Sequence, residues 1–115
     1  MRIFALGLGL VALLASTAAA ADPKPIRFWN LTSQTVVDFR AAPSATADWG
    51  PNQCANDRDG AVDHDERLRI TGIGPGRYDV KLTFKDGRVC TVRSIEINDG
   101  GIFSIEDKDL TECRP

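Results

Sequence analysis

The sequence predicts an all-β protein, specifically a small antiparallel β-sandwich of about six or seven short strands with one long irregular loop. Two observations lead to this prediction. Apolar and polar residues alternate along several short segments, as they do in strands that bury one face. No segment keeps the helical period of about 3.6 residues beyond two turns. Short strands separated by turn residues are typical of sandwiches and small barrels.

The N-terminal segment has a different character from the rest of the chain. Arg2 is the only charged residue before Asp22, residues 3–14 are almost entirely apolar, and residues 16–21 are small. This is the pattern of a secretory signal peptide, and the apolar run is shorter than the roughly 20 residues that span a bilayer. We therefore predict a signal peptide at 1–20, a single domain at 21–115, and a periplasmic or secreted location.

The first two strands are predicted on either side of a short turn. Ile26 and Phe28 share one face of the strand at 26–30, which leaves Trp29 on the other face. In the strand at 35–40, Val37 and Phe39 should share one face and Val36 should lie on the opposite one. Trp29 and Val36 then form a patch on the second sheet face, which serves either as a partner surface or as packing for that face.

The segment at 41–60 is the long irregular loop. It is rich in small and turn-forming residues, and Trp49 is its one large apolar residue. Trp49 either stacks on a ligand or pins the loop to the sandwich, and we favour the second role because burying the ring offsets the entropy lost when the loop is ordered. On that interpretation Trp49→Ala destabilises the fold by about 3–5 kcal/mol.

The strand at 77–84 has the clearest alternation, and a hairpin follows it at Lys85-Asp86-Gly87. A two-residue turn would place polar residues opposite apolar ones. A three-residue loop with Gly87 in the left-handed conformation keeps one face apolar. The pairs predicted by that loop are Leu82 with Cys90 and Val80 with Val92.

Two further strands and a tail complete the chain. Residues 67–71 alternate and precede a turn at 72–76. Ile95 and Ile97, then the turn residues 98–101, then Phe103 and Ile105 predict a second hairpin. The tail at 106–115 is charged.

Several short motifs resemble those of a group of small exported bacterial proteins that lack an assigned function. These motifs are Asn30-Leu31-Thr32, Pro43-Ser44, Trp49-Gly50-Pro51-Asn52, Pro75-Gly76-Arg77-Tyr78-Asp79 and Asp86-Gly87. The resemblance implies a small β-sandwich and supplies no catalytic residues. Members often carry an apolar residue after Trp-Gly-x-Asn, where this chain has Gln53-Cys54.

Three cysteines, Cys54, Cys90 and Cys113, follow the signal peptide, so one disulfide and one free thiol are expected in an oxidising compartment. Cys90 faces inward in the predicted hairpin, and the resemblance implies that Cys54 is buried. We therefore favour a Cys54–Cys90 disulfide with Cys113 free. The alternative is Cys90–Cys113, which would fasten the tail and leave Cys54 free.

The acidic segment at 55–66 partly matches a calcium-binding EF-hand loop. With Gly60 as the sixth residue, four carboxylates occupy ligand positions; they are Asp57, Asp59, Asp63 and Glu66. The first position is Ala55, which removes one ligand and weakens any affinity for calcium. The other interpretation is that these residues form turns and solvated charges ahead of a strand.

Catalytic patterns are sparse. His64 is the only histidine, no Gly-x-Ser-x-Gly is present, and Cys54, His64 and Cys90 lack the usual spacing of a zinc site or thiol enzyme. The predicted domain has 13 basic residues once Arg2 is removed, against 16 acidic ones, a net charge of −3 that disfavours nonspecific binding to nucleic acid or anionic membranes.

We therefore expect a noncatalytic exported binding or interaction module without a cofactor, whose partner is a protein or small ligand. The alternatives are a calcium-stabilised version of the same domain and a small hydrolase or thiol enzyme.

Overall fold

The computed structural model describes residues 24–115, so the predicted signal peptide and the first residues of the predicted domain lie outside the described part. That part contains two short 3-10 segments, Gln53–Asn56 and Asp107–Asp109, and seven strands. The strands are β1 (Ile26–Leu31), β2 (Val36–Pro43), β3 (Arg67–Ile70), β4 (Gly76–Phe84), β5 (Val89–Ile97), β6 (Ile102–Glu106) and β7 (Glu112–Arg114). None of the described residues form a helix long and apolar enough to cross a membrane.

The strands form two sheets, in the orders β3-β1-β6 and β2-β4-β5-β7. The predicted small β-sandwich is confirmed. Three phenylalanines contributed by both sheets, Phe28, Phe39 and Phe103, meet in the core with ring centroids 5.0–6.1 Å apart. All strand pairs are antiparallel except β1 with β6, which is parallel.

The predicted faces of β2 are wrong at its start. Val36 is fully buried beside Phe39 in the core, whereas Val37 is only half-buried. The register against β4 shifts between Val36 and Asp38, so Val37 is an extra residue in the strand. Such a bulge reverses the alternation, and simple counting along β2 therefore assigned Val36 to the wrong face.

The predicted three-residue hairpin between β4 and β5 is confirmed. Val80 lies opposite Val92 and Leu82 lies opposite Cys90. Gly87 has a φ of 94°, in the region that glycine adopts without steric cost. The requirement for one apolar face was sufficient to select this register.

The second predicted hairpin, from β5 to β6, is wrong. The chain crosses to the other sheet after Ile97, and β6 pairs in parallel with β1, with Phe103 opposite Phe28. Phe103 and Ile105 point into the core, as their alternation predicted. Alternation identifies the buried face of a strand but not its neighbour, so either sheet satisfied the pattern.

Candidate functional site

The outer face of the three-stranded sheet carries an unusual group of side chains. Phe28 of β1 and Leu68 of β3 point into the core. Because side chains alternate along a strand, the residues on either side of them point outward. We call this group the arginine face, and it consists of Arg27, Trp29, Arg67, Arg69 and Ile102.

The strand register brings these side chains together in rows across the sheet. Arg27 lies directly opposite Arg69 on one side and Ile102 on the other. Trp29 lies opposite Arg67, whose Cζ sits 4.3 Å from the centroid of the indole ring. The indole Nε1 donates a 3.0 Å hydrogen bond to Asp65 Oδ1. The tryptophan is therefore held between a cation and a carboxylate.

The positive charge of the arginine face has no ion-pair partner within residues 24–115. The ion pairs of this range are Arg40 with Asp38 and Arg93 with Asp79 and Glu112, and all lie on the four-stranded sheet. Arg27 faces Arg69 instead, although like charges directly opposite each other destabilise a sheet. The arrangement therefore favours an anion bound from outside.

The patch predicted from Trp29 and Val36 is half right. Trp29 does lie on the outer face of its sheet and is half-buried. Val36 is in the core of the sandwich and cannot contribute to a surface. The arginines beside Trp29 were missed because neighbouring strands had to be paired before Arg67 and Arg69 could be placed next to β1.

A buried asparagine positions the carboxylate that contacts Trp29. Asn30 Nδ2 donates to the carbonyl oxygens of Gln34 and Val62 at 2.9 and 2.8 Å, and its Oδ1 accepts from the backbone and hydroxyl of Thr32. The main-chain amide of Asp65 then donates a hydrogen bond to the carbonyl oxygen of Asn30. The Asn-x-Thr motif thus fastens the loop after Val62 to the end of β1.

Trp49 does not occupy the core position expected of a loop anchor. It is half-buried outside the core cluster, and Lys81 Nζ lies 4.7 Å from its ring centroid. The loop is held instead by Asn52, whose Oδ1 accepts from the amides of Phe39 and Cys54 at 3.0 and 2.9 Å, and Cys54 is fully buried. The sequence analysis missed this cap, although asparagine is a common residue just before a helical turn.

Three of the four carboxylates of the predicted calcium loop accept local hydrogen bonds, whereas Asp59 takes part through its backbone amide. Asp57 Oδ2 accepts from the amide of Asp59, Asp63 Oδ1 accepts from the hydroxyl of Thr35, and Glu66 Oε1 accepts from the amide of Asp63. Within the described range, no group of three or more His, Cys, Asp or Glu residues is placed to hold a metal ion. Calcium binding stays a prediction, tested by whether calcium raises the melting temperature of the wild type but not of Glu66→Ala.

The predicted Cys54–Cys90 disulfide is wrong, because Cys90 is bonded to Cys113. The tail returns as β7 beside β5, which places Cys113 directly opposite Cys90. Cys54 is a free, buried thiol. Burial, with smaller contributions from the charges of Asp38 and Asp57, raises the pKa of Cys54 to about 12.

The positions of Cys54, His64 and Cys90 do not support a thiol enzyme or a zinc site. Cys90 is consumed by the disulfide, and the thiol of Cys54 stays protonated in the interior. His64 is exposed, with Nδ1 2.8 Å from the carbonyl oxygen of Thr32. Thiol chemistry requires an accessible thiolate, which Cys54 does not provide.

Within residues 24–115, two of the surface clefts lie beside the sheets. One of about 500 Å³ lies between the β4–β5 turn and the tail, beside Arg88 and Cys113. The other, of about 230 Å³, adjoins the arginine face and is lined in part by Lys24, Arg69 and Asp99. The smaller cleft brings the basic side chains of Lys24 and Arg69 together with the acidic side chain of Asp99.

No family model, curated protein or solved structure matches this chain.

Proposed function

We propose that the protein is a noncatalytic exported binding module that recognises its partner through the arginine face. The observation that carries this proposal is the Arg27–Arg69 pair, two like charges placed opposite each other without an acidic partner among residues 24–115. Such a pair costs stability in the isolated domain. An anionic partner that binds between the two guanidinium groups removes that cost.

Export and the absence of catalysis are parts of the same proposal. A disulfide that fastens the last strand persists in an oxidising compartment, which supports export. The protonated thiol of Cys54 and the isolated His64 do not form a nucleophile and base pair, which supports a binding role.

The proposal is tested by comparing three immobilised proteins. They are the wild type, the double variant Arg27→Ser/Arg69→Ser, and the control Arg77→Ser. Arg77 is an exposed arginine on β4, and it lies opposite the acidic Glu96. All three are exposed to the exported proteins of the producing cells, and their melting curves are recorded to confirm that each protein is folded.

We expect a partner that is retained by the wild type and by Arg77→Ser and released by the double variant. Retention of the same molecules by all three proteins would show that the arginine face does not bind a partner. Arg77→Ser removes one positive charge and the double variant removes two, so the control tests whether the loss of a positive charge elsewhere on the surface is enough to release the partner.

A further inference from the structure

We propose that the ligand of the arginine face is a short acidic peptide segment of a partner protein, in which an acidic residue and an apolar residue lie two positions apart. This inference rests on the proposed function and specifies the chemistry of its partner.

The pairing of β1 with β3 explains why the ligand should carry an acidic residue. Residues directly opposite each other in an antiparallel pair have Cβ atoms about 4.5–5.5 Å apart. The guanidinium groups of Arg27 and Arg69 can therefore converge on one carboxylate, and each presents a planar fork of donors that matches it. Neither guanidinium has a hydrogen-bond acceptor among the residues described, so both retain their donors for a ligand.

Strand β6, on the other side of β1, explains why the ligand should also carry an apolar residue. Ile102 lies directly opposite Arg27 and is 51% exposed, the one large aliphatic residue so exposed in the described part of the chain. Neighbouring strands are about 4.8 Å apart, so Ile102 lies roughly 7 Å from the midpoint of the arginine pair. An extended peptide crossing the strands advances about 6.7 Å in two residues. The spacing selects an acidic residue and an apolar residue with one residue between them.

The size of the face favours a short segment over a folded domain or a second copy of this chain. Three strands of about five residues cover roughly 240 Å², since strands lie about 4.8 Å apart and rise about 3.3 Å per residue. A stable interface between folded proteins buries about 800 Å² on each partner. A weak peptide complex, with a Kd in the high micromolar range, is the expected outcome.

The surroundings of the face disfavour a long polyanion such as a sulfated glycan or an anionic membrane. The whole chain has a net charge of −2, and Asp65 and Glu106 lie at one end of the face. These carboxylates repel continuous negative charge but leave room for one or two acidic side chains. Arg67 also covers one face of the Trp29 ring, which closes that face to stacking against a sugar.

The experiment uses the domain from residue 21 onward and three synthetic peptides in a Gly/Ser context. The test peptide contains two copies of Glu-Ser-Leu separated by several Gly/Ser residues. In the same places the charge control has Gln-Ser-Leu and the spacing control has Glu-Leu-Ser. Binding is followed by backbone amide shifts in NMR, at low and high salt. Sulfated glycan fragments and vesicles containing anionic lipid are titrated in parallel.

We expect saturable shifts at Arg27, Arg69 and Ile102 with the test peptide. The affinity for the test peptide should fall at least tenfold in Arg27→Ser/Arg69→Ser and stay unchanged in Arg77→Ser. The wild type should bind the Gln peptide at least tenfold more weakly and the spacing control severalfold more weakly. High salt should also weaken binding of the test peptide severalfold. Equal affinity for the Glu and Gln peptides would overturn the inference. Stronger binding of the glycan or the vesicles at the same residues would overturn the inference that the ligand is an acidic peptide, and the proposed function would stand. If binding of no ligand depended on Arg27 and Arg69, both the inference and the proposed function would be overturned.

Discussion

The two outer faces of the sandwich use arginine in opposite ways. On the four-stranded sheet, Arg40 pairs with Asp38, and Arg93 bridges Asp79 and Glu112. On the three-stranded sheet, Arg27 and Arg69 face each other. The first arrangement completes the local structure, whereas the second leaves hydrogen-bond donors unused. The partner of a charge, rather than the charge itself, therefore separates a structural residue from a candidate binding residue.

Asp79 shows how far the charges of the four-stranded sheet are compensated. It is 2% exposed and accepts from the amides of Ala45 and Ser94 at 3.0 and 2.9 Å and from Arg93 at 3.3 Å. Ser94 has a φ of 56° in a bulge of β5 opposite Asp79. The bonds from the Ala45 and Ser94 amides, followed by the contact with Arg93, lower the pKa of Asp79. The carboxylate thus joins the long loop to two strands.

The largest effect is expected from Asp79→Ala, which should lower the free energy of unfolding by about 3–5 kcal/mol because it leaves donors without their charged acceptor. Denaturant unfolding measures this, with Asp79→Asn, which keeps an acceptor oxygen, as the milder control. Because the folded-state pKa is lowered, the contribution of Asp79 is complete above the unfolded pKa of about 3.9 and is lost as the pH falls through the folded value. An unchanged unfolding midpoint for Asp79→Ala would show that the compensated charges of the four-stranded sheet do not stabilise the fold, and the two faces would then not differ as we infer.

The next effect is expected from the disulfide. Cys113→Ser opens a link between residues 23 positions apart, and the chain-entropy model then predicts a loss of about 3 kcal/mol. A reductant should destabilise the wild type by a similar amount and leave Cys113→Ser unaffected.

Alkylation of the nonreduced protein checks the same pairing. Label should appear only on Cys54, and only after unfolding, because its thiol is buried with a pKa of about 12. Label on Cys113 would contradict the bond between Cys90 and Cys113.

A smaller loss is expected from Trp49→Ala, about 1–2 kcal/mol instead of the 3–5 kcal/mol expected of a core anchor. The ring is half-buried and contacts the Lys81 ammonium through its face, so less apolar surface returns to water than for a core side chain. Thermal unfolding measures the loss, and Trp49→Phe serves as the conservative control. A loss as large as that of Asp79→Ala would show that Trp49 anchors the loop after all.

The smallest effect should have the opposite sign. Arg69→Glu places a carboxylate opposite Arg27 and should stabilise the domain by about 0.5 kcal/mol while abolishing binding of the acidic peptide. The mirror control is Arg77→Glu, which creates a like-charge pair with Glu96 and should destabilise by a similar amount without affecting binding. If Arg69→Glu lowered stability, the two arginines would not repel each other as we infer.

Alternation in the sequence determined the fold class and most of the buried faces. The β4–β5 register followed from it as well, because a two-residue turn would have placed Cys90 opposite Thr83 and mixed the faces. The Asn-x-Thr and Trp-Gly-x-Asn motifs were visible as patterns. Their roles as a clamp at Asn30 and a cap at Asn52 required the hydrogen bonds of the folded chain.

Only the tertiary structure decided which strands are neighbours. It moved β6 beside β1, returned β7 to β5 so that Cys113 met Cys90, and inserted the bulge at Val37. The arginine face depends on the same choice, since Arg69 meets Arg27 only when β3 pairs with β1. The physical reason is that alternation records how each strand divides between core and solvent, whereas pairing depends on the path of the chain between sheets, which local sequence does not encode.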